Sequence, residues 1–218
     1  PVGPSMKGNP LPLMKEYFFS GEGRVPSAPL PLQRPHETWA RGLPESGFRI
    51  TWLGHSTMLL EMDGMRVLTD PVFGDRASPV SFAGPKRFHE VPAKLSELPQ
   101  LDAILLSHDH YDHLCAPTME EIARMDVPVV TSLGVGHHLE ALGIPAVRIV
   151  ELDWWESHTF AGGDLRFTAA PAQHFSGRGI ADRNTTLWGS WAIQTDRRKV
   201  FFSGDTGLTS EFADVGQT

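Results

Sequence analysis

Apolar and polar positions change their period several times along this chain, and each change marks an element. Phe48, Ile50 and Trp52 alternate with Arg49 and Thr51, the two-residue repeat of a half-buried strand. Two further apolar runs flank Asp63-Gly64, a pair suited to a tight hairpin turn, so "FRITWLGHSTMLLEMDGMRVLTD" predicts three strands. "LDAILL" (101–106) predicts a strand buried on both faces. The pattern then turns helical in "PTMEEIARM", with Pro117 in the first turn and Thr118/Glu121 at capping-box spacing. "VPVVTS" predicts a strand, "GVGHHLEAL" a helix stopped by Gly143 and Pro145, and "AVRIVEL" another strand. From Leu165 the chain is mostly strands: "LRFTAA", "LWGSWAIQT" and "KVFFSGD", the last two joined by a charged turn.

Two stretches lack a period. Residues 1–45 are rich in proline and glycine and predict an irregular arm, with one helical turn around "LMKEYFF". Residues 71–100 carry five prolines and form a long connection; such a loop in a compact domain is more often functional than idle. The expectation is an arm over 1–45 and one folded domain over 46–218. Its fold class is a layered α/β (α+β) architecture containing sheet.

Composition narrows the partners. A net charge of −7 and a pI near 5.8 argue against a general nucleic-acid surface. The one cysteine, Cys115, excludes an intrachain disulfide framework and fits a reducing, cytoplasmic setting as a small buried residue. No run of 18 apolar residues predicts a membrane span, and the opening residues lack the order of a secretory leader.

The candidate chemistry sits directly after the predicted strand at 101–106. "SHDHYDHL" places three histidines and two aspartates within positions 108–113, groups that are costly to desolvate and that a packed core does not need. In extended chain alternate side chains share a side, so His108 and His110 face one point, while Asp112 and His113 can turn to a second. Imidazole with carboxylate suits zinc first, with iron or manganese as alternatives. A structural zinc would draw on cysteines, so the set favours a catalytic metal site with an open position. His174, Asp205 and Asp70 each stand where an apolar strand run stops, and are candidates by position. The rival for any one histidine is a structural role; His137 and His138, together on a predicted helix, are read as solvent-facing with no assigned role, and His36, His89 and His158 are read the same way. Trp154 and Trp155 are read as packing residues.

"HDHYDH" matches the H-x-H-x-D-H signature of the metallo-β-lactamase fold, and the chain resembles a member. That resemblance implies an αββα sandwich with a dinuclear site at one edge. His108, His110 and His174 would hold one metal, Asp112 and His113 the other, Asp205 would bridge, and Asp70 would orient the site from behind its ligands. "TWLGHST", "LTDPVFGDRASP", "GPKRF", "ELDWWE", "PAQHFSGR", "LWGSWAI" and "FFSGDTG" narrow the resemblance to the N-acylphosphatidylethanolamine-hydrolysing phospholipase D group. The likeness spans roughly Thr51 to Gly207.

That group uses two zinc ions to cleave a phospholipid phosphodiester, so the resemblance implies a phospholipid or other phosphodiester substrate and water activated by metal. Asp112 and Asp205 would be the carboxylates able to carry a proton. Lys86, Arg87 and Arg178 are candidate phosphate contacts, with solvated surface charge as the rival. His55 in "GHST" borders the site or packs beside it. The segment "LPLMKEYFF" with Phe73, Phe82 and Phe88 offers apolar contact for peripheral membrane association. The group's members run well past the aspartate motif to a last histidine ligand. The resemblance therefore leaves that ligand, and part of the sandwich, to a further segment or a second chain. Two other readings stand beside the phosphodiesterase: the same centre acting on a lactone, thioester or β-lactam carbonyl, and a metal-binding module without turnover.

Overall fold

The computed structural model describes residues 25–160, 162–179 and 181–216, with positions 9, 11, 12 and 15. The helical turn expected around "LMKEYFF" falls almost wholly outside these residues. Strands β1 (Phe48–Gly54), β2 (Thr57–Met62) and β3 (Met65–Thr69) run antiparallel. Asp63 and Gly64 supply the β2–β3 turn, both at positive φ. Then β4 (Ala103–Leu106), β5 (Val129–Ser132) and β6 (Ile149–Leu152) add in parallel, giving a six-stranded sheet ordered β1 to β6. A second, antiparallel sheet is ordered β10-β9-β8-β7, from β7 (Ser157–Thr159), β8 (Arg166–Ala170), β9 (Ser190–Gln194) and β10 (Lys199–Phe202).

Two cores follow from the two-residue period of β4. Ile104 and Leu106 point to the outer face of the first sheet with Leu59, Leu68, Met119 and Leu139. Ala103 and Leu105 point between the sheets with Leu60, Phe167, Trp191 and Ile193. The outer core is covered by α2 (Ala116–Ile122) and α3 (Gly136–Ala141), the parallel crossovers that β4–β5–β6 require. On the second sheet, Phe212 of α4 (Phe212–Val215) meets Phe201 edge-on.

Several expectations need correction. The arm is not irregular throughout: α1 (His36–Ala40) buries Trp39, whose indole nitrogen donates to Thr51 Oγ1, so residues before 46 belong to the folded body. The capping box at Thr118 does not form; its hydroxyl accepts from the Phe73 amide and anchors the 71–100 connection instead. Helix α2 stops at Ile122, short of Met125. "AVRIVEL" begins as a 3-10 turn over Ala146–Arg148. Ile50 and Trp52, on the inter-sheet side of β1, are 46% and 57% exposed, because four strands do not reach across to the edge of six. The opposite face of β1–β2 carries a buried charge cluster in which Arg49 and Arg66 both pair with fully buried Glu61.

Candidate metal centre

The C-terminal ends of β3, β4, β8 and β10 come together at one end of the sandwich and deliver Asp70, His108–His113, His174 and Asp205. Gly204 makes the last approach possible. It lies at φ +51, and a Cβ there would fall 2.9 Å from Ser107 Cβ and 3.0 Å from the Gly189 carbonyl. Only glycine lets the end of β10 lie this close to the end of β4.

Three imidazole nitrogens converge. His108 Nε2 lies 2.9 Å from His110 Nδ1, which lies 3.1 Å from His174 Nε2. Donors held at about 2.0–2.1 Å around a tetrahedral zinc stand about 3.3–3.4 Å apart, close to these separations. Beside them His113 Nε2 lies 3.4 Å from Asp205 Oδ2 and 4.0 Å from Asp112 Oδ2, and Asp205 Oδ2 is 3.8 Å from His174 Nε2. Asp205 thus stands between the His174 side and the His113 side of the cluster. His55 Nε2 reaches Asp112 Oδ2 at 3.1 Å.

The hydrogen bonds behind the ligand atoms set their protonation. Fully buried Asp70 accepts at Oδ1 from the Ser107 amide, and at Oδ2 from the Ser107 hydroxyl and from His113 Nδ1 at 2.6 Å. With its proton spent on Asp70, Ser107 Oγ can only accept from His108 Nδ1, 2.9 Å away. Both rings therefore carry a proton on Nδ1 and turn Nε2 inward, the arrangement that orients metal-ligating imidazoles. His113 Nε2 is buried without a hydrogen-bond partner. A buried, unpartnered nitrogen aimed at two carboxylates fits a cation.

A sequence model of the β-lactamase superfamily domain matches residues 65–217. The chain belongs to that family. It is 48% identical over 192 residues to an uncharacterized protein of Mycobacterium tuberculosis strain H37Rv, an alignment covering 88% of this chain and 50% of that protein. It is 42% identical over 181 residues to N-acyl-phosphatidylethanolamine-hydrolyzing phospholipase D 1 of Caenorhabditis elegans, covering 79% and 51%. It is 34% identical over 165 residues to the mitochondrial enzyme of that name from Saccharomyces cerevisiae, covering 74% and 35%. The chain spans about half or less of the length of these relatives. Among solved structures, the metallo hydrolase Igni18 of Ignicoccus hospitalis superposes with a TM-score of 0.57 at 20% identity, over 78% of this chain and 66% of that one. CmlA of Streptomyces venezuelae, a diiron β-hydroxylase, gives 0.54 at 21% identity, over 87% and 33%. The architecture is that of the metallo-β-lactamase fold.

In this family member, burial sets the titration of three histidines, whereas neighbouring charges decide His113, Asp112 and Asp205. Burial pushes His174 down to about 4, reinforced by neighbouring histidines, and depresses His110 and His108 as well. Burial would depress His113 too, but Asp70 and Asp205 outweigh it and raise His113 to about 10. Asp205 is held below the usual carboxylate range by the neighbouring His113, whose Nε2 lies 3.4 Å away. Burial works to raise Asp112, yet His55 and His113 overcome it and keep the carboxyl ionised. The raised value keeps a proton on His113, which a cation bound there would have to displace.

The phosphate candidates divide. Arg87 donates Nη2 to the Val72 carbonyl at 2.6 Å and clamps the 71–100 loop. Arg178 donates to the carbonyls of Asp109 and Leu114 while its guanidinium lies 4.0 Å over Tyr111. These guanidiniums are spent on the protein itself. Lys86 lines an open, mostly apolar cavity of about 630 Å³ that runs along Trp52, His55, Val72, His110 and Asp112.

Sequence reasoning missed Ser107 and Asp109. Asp109 turns away from the cluster, accepting from the Gly177 amide and the Thr186 hydroxyl, and so ties the 174–187 loop to the histidine turn. His138 does not simply face solvent: its Nε2 lies 3.6 Å from Asp109 Oδ2. The missed residues are the intervening positions of "SHDHYDH", whose roles depend on which loop folds over them. Cys115 is buried, and Trp154 packs edge-on against Trp188, as expected.

Proposed function

We propose that this centre is a dinuclear, zinc-first hydrolase site acting on a phosphodiester, the substrate being a phospholipid of the N-acylphosphatidylethanolamine type. The observation that carries the reading is the sharing of donors. His108, His110 and His174 form one group, His108, His113 and Asp205 a second, and His55, Asp112 and His113 a third, sharing members in one cluster whose His55, His110 and Asp112 line the cavity. Overlapping groups of this kind suit two adjacent ions joined by Asp205 better than one. The two relatives named as N-acyl-phosphatidylethanolamine-hydrolyzing phospholipases D support the substrate class.

Two divalent ions bound there would supply a Lewis acid for the phosphoryl oxygens and activate water at neutral pH. The chain's own part is positioning. Asp70 and Ser107 fix the Nδ1 protons of His113 and His108, so that both rings offer Nε2. Asp112 and Asp205 are the carboxylates of the cluster that would be able to take up a proton from an activated water. Lys86 on the cavity wall offers an ammonium to an anionic phosphoryl oxygen, and the apolar wall around Val72 and Trp52 takes the hydrocarbon of the substrate. Exposed Phe82 and Phe88 in the same loop meet the lipid surface. The contact proposed is peripheral; among the described residues no helix is long and apolar enough to cross a membrane.

The test uses the zinc-loaded chain with vesicles containing N-acylated phosphatidylethanolamine and with bis(4-nitrophenyl) phosphate, beside a lactone, a thioester and nitrocefin. Release of N-acylethanolamine, abolished in His110→Ala and Asp205→Ala, is expected. Hydrolysis of a carbonyl substrate with every phosphodiester untouched would overturn the reading.

A further inference from the structure

His55 lies outside the signature segment, in the connection between β1 and β2, yet its ring stands inside the cluster. Its Nε2 is 3.1 Å from Asp112 Oδ2, its ring meets that of His113 edge-on at 5.2 Å, and it lines the cavity beside Asp112. The His55 donor atom, an Asp112 oxygen and a His113 nitrogen lie within 4.8 Å of one another, a spread that one ion can span. An independent observation points to a ligand here: His113 Nε2 is fully buried and has no hydrogen-bond partner.

The local chain is built to hold this ring in place. His55 sits at φ +48, a conformation uncommon for a non-glycine residue, and its carbonyl accepts from Trp52 Nε1 at 2.8 Å. Gly54 before it, at φ +116, leaves room for His89, whose Cε1 would lie 2.7 Å from a Cβ.

We infer that His55 Nε2 is a direct protein ligand of the second metal, completing a three-donor set with Asp112 and His113 Nε2 while Asp205 reaches in from β10. This rests on the dinuclear reading and extends it: the β1–β2 turn, on the far side of Asp70 from the histidine segment, becomes part of the metal centre. The rival is a positioning role, in which His55 only donates a hydrogen bond to Asp112.

Metal titration separates the two. The metal-free chain is titrated with zinc by calorimetry, and with cobalt(II) while the visible ligand-field bands are followed. The original chain takes up two equivalents. His55→Ala keeps the first, held through His108, His110 and His174, which also reports that the chain is folded. It binds the second at least about 100-fold more weakly, beyond the roughly 10–100-fold typical of losing a partner behind a ligand. His55→Gln retains a hydrogen-bond donor for Asp112 but no imidazole. It gives the same loss, with the second cobalt spectrum altered, and it decides the question if the alanine variant does not fold. Restoration of the second equivalent by glutamine, or unchanged uptake in both variants, overturns the assignment while leaving the dinuclear reading intact. A single equivalent in the original chain removes the dinuclear reading and His55 with it.

Discussion

At the residue scale, the centre works because buried Asp70 serves two imidazoles at once. One carboxylate accepts from the Ser107 amide, the Ser107 hydroxyl and His113, and through Ser107 it also fixes His108. The shifts this creates run in opposite directions. His113 is raised from 6.5 to about 10, so its contribution to the metal-free fold is present below 6.5 and is lost as pH climbs toward 10. His108, His110 and His174 are depressed below 6.5, so their neutral forms favour the fold above 6.5 and lose that advantage as pH falls. Thermal melts of the metal-free chain from about pH 4.5 to 10 should therefore peak near the ordinary histidine value of 6.5. A melting temperature that rises steadily across that value would show that His113 is not held charged by Asp70 and Asp205. Residue chemistry of this kind was partly legible beforehand. "HDHYDH" pointed to the donor side chains that the fold gathers, whereas Ser107 and Asp109 could be read only once the partners facing them were known.

At the element scale, the decisive parts are strand ends and the turns that follow them. β4 was plain from "LDAILL", because a run apolar on both faces has few alternatives, and its end fixes where the histidines sit. The edge strand β1 was harder: alternation identified it as a strand, but which face is covered depends on a second sheet distant in sequence. The helix N-terminus at Cys115–Thr118 misled for a related reason, since the Phe73 amide claims the hydroxyl that local capping would use. His55 was difficult because a turn histidine has no periodic context at all. Gly204 carries the most weight of any glycine in the site, as the close contact between the ends of β10 and β4 depends on it. Gly204→Ala should destabilise the chain by about 1–3 kcal/mol through overpacking. For a chain of this size each kcal/mol corresponds to a fall of roughly 2–4 °C in Tm. The variant should also weaken metal uptake, because Asp205 follows directly; an unchanged Tm with unchanged uptake would mean the two ends are looser than the structure shows.

At the scale of the whole molecule, the sandwich gathers donors from segments as distant in the chain as those of His55 and Asp205. The parallel half of the first sheet supplies Ser107–His113, while the antiparallel second sheet supplies His174 and Asp205 across the inter-sheet core. The account stands or falls on ions occupying that set. Crystals of the zinc-loaded chain, measured across the zinc absorption edge, test it most directly. Two anomalous peaks about 3.5–4 Å apart are expected, one among His108 Nε2, His110 Nδ1 and His174 Nε2, the other against His113 Nε2, with Asp205 between them. Zinc bound elsewhere on the molecule, with no anomalous density inside the cluster, would contradict it.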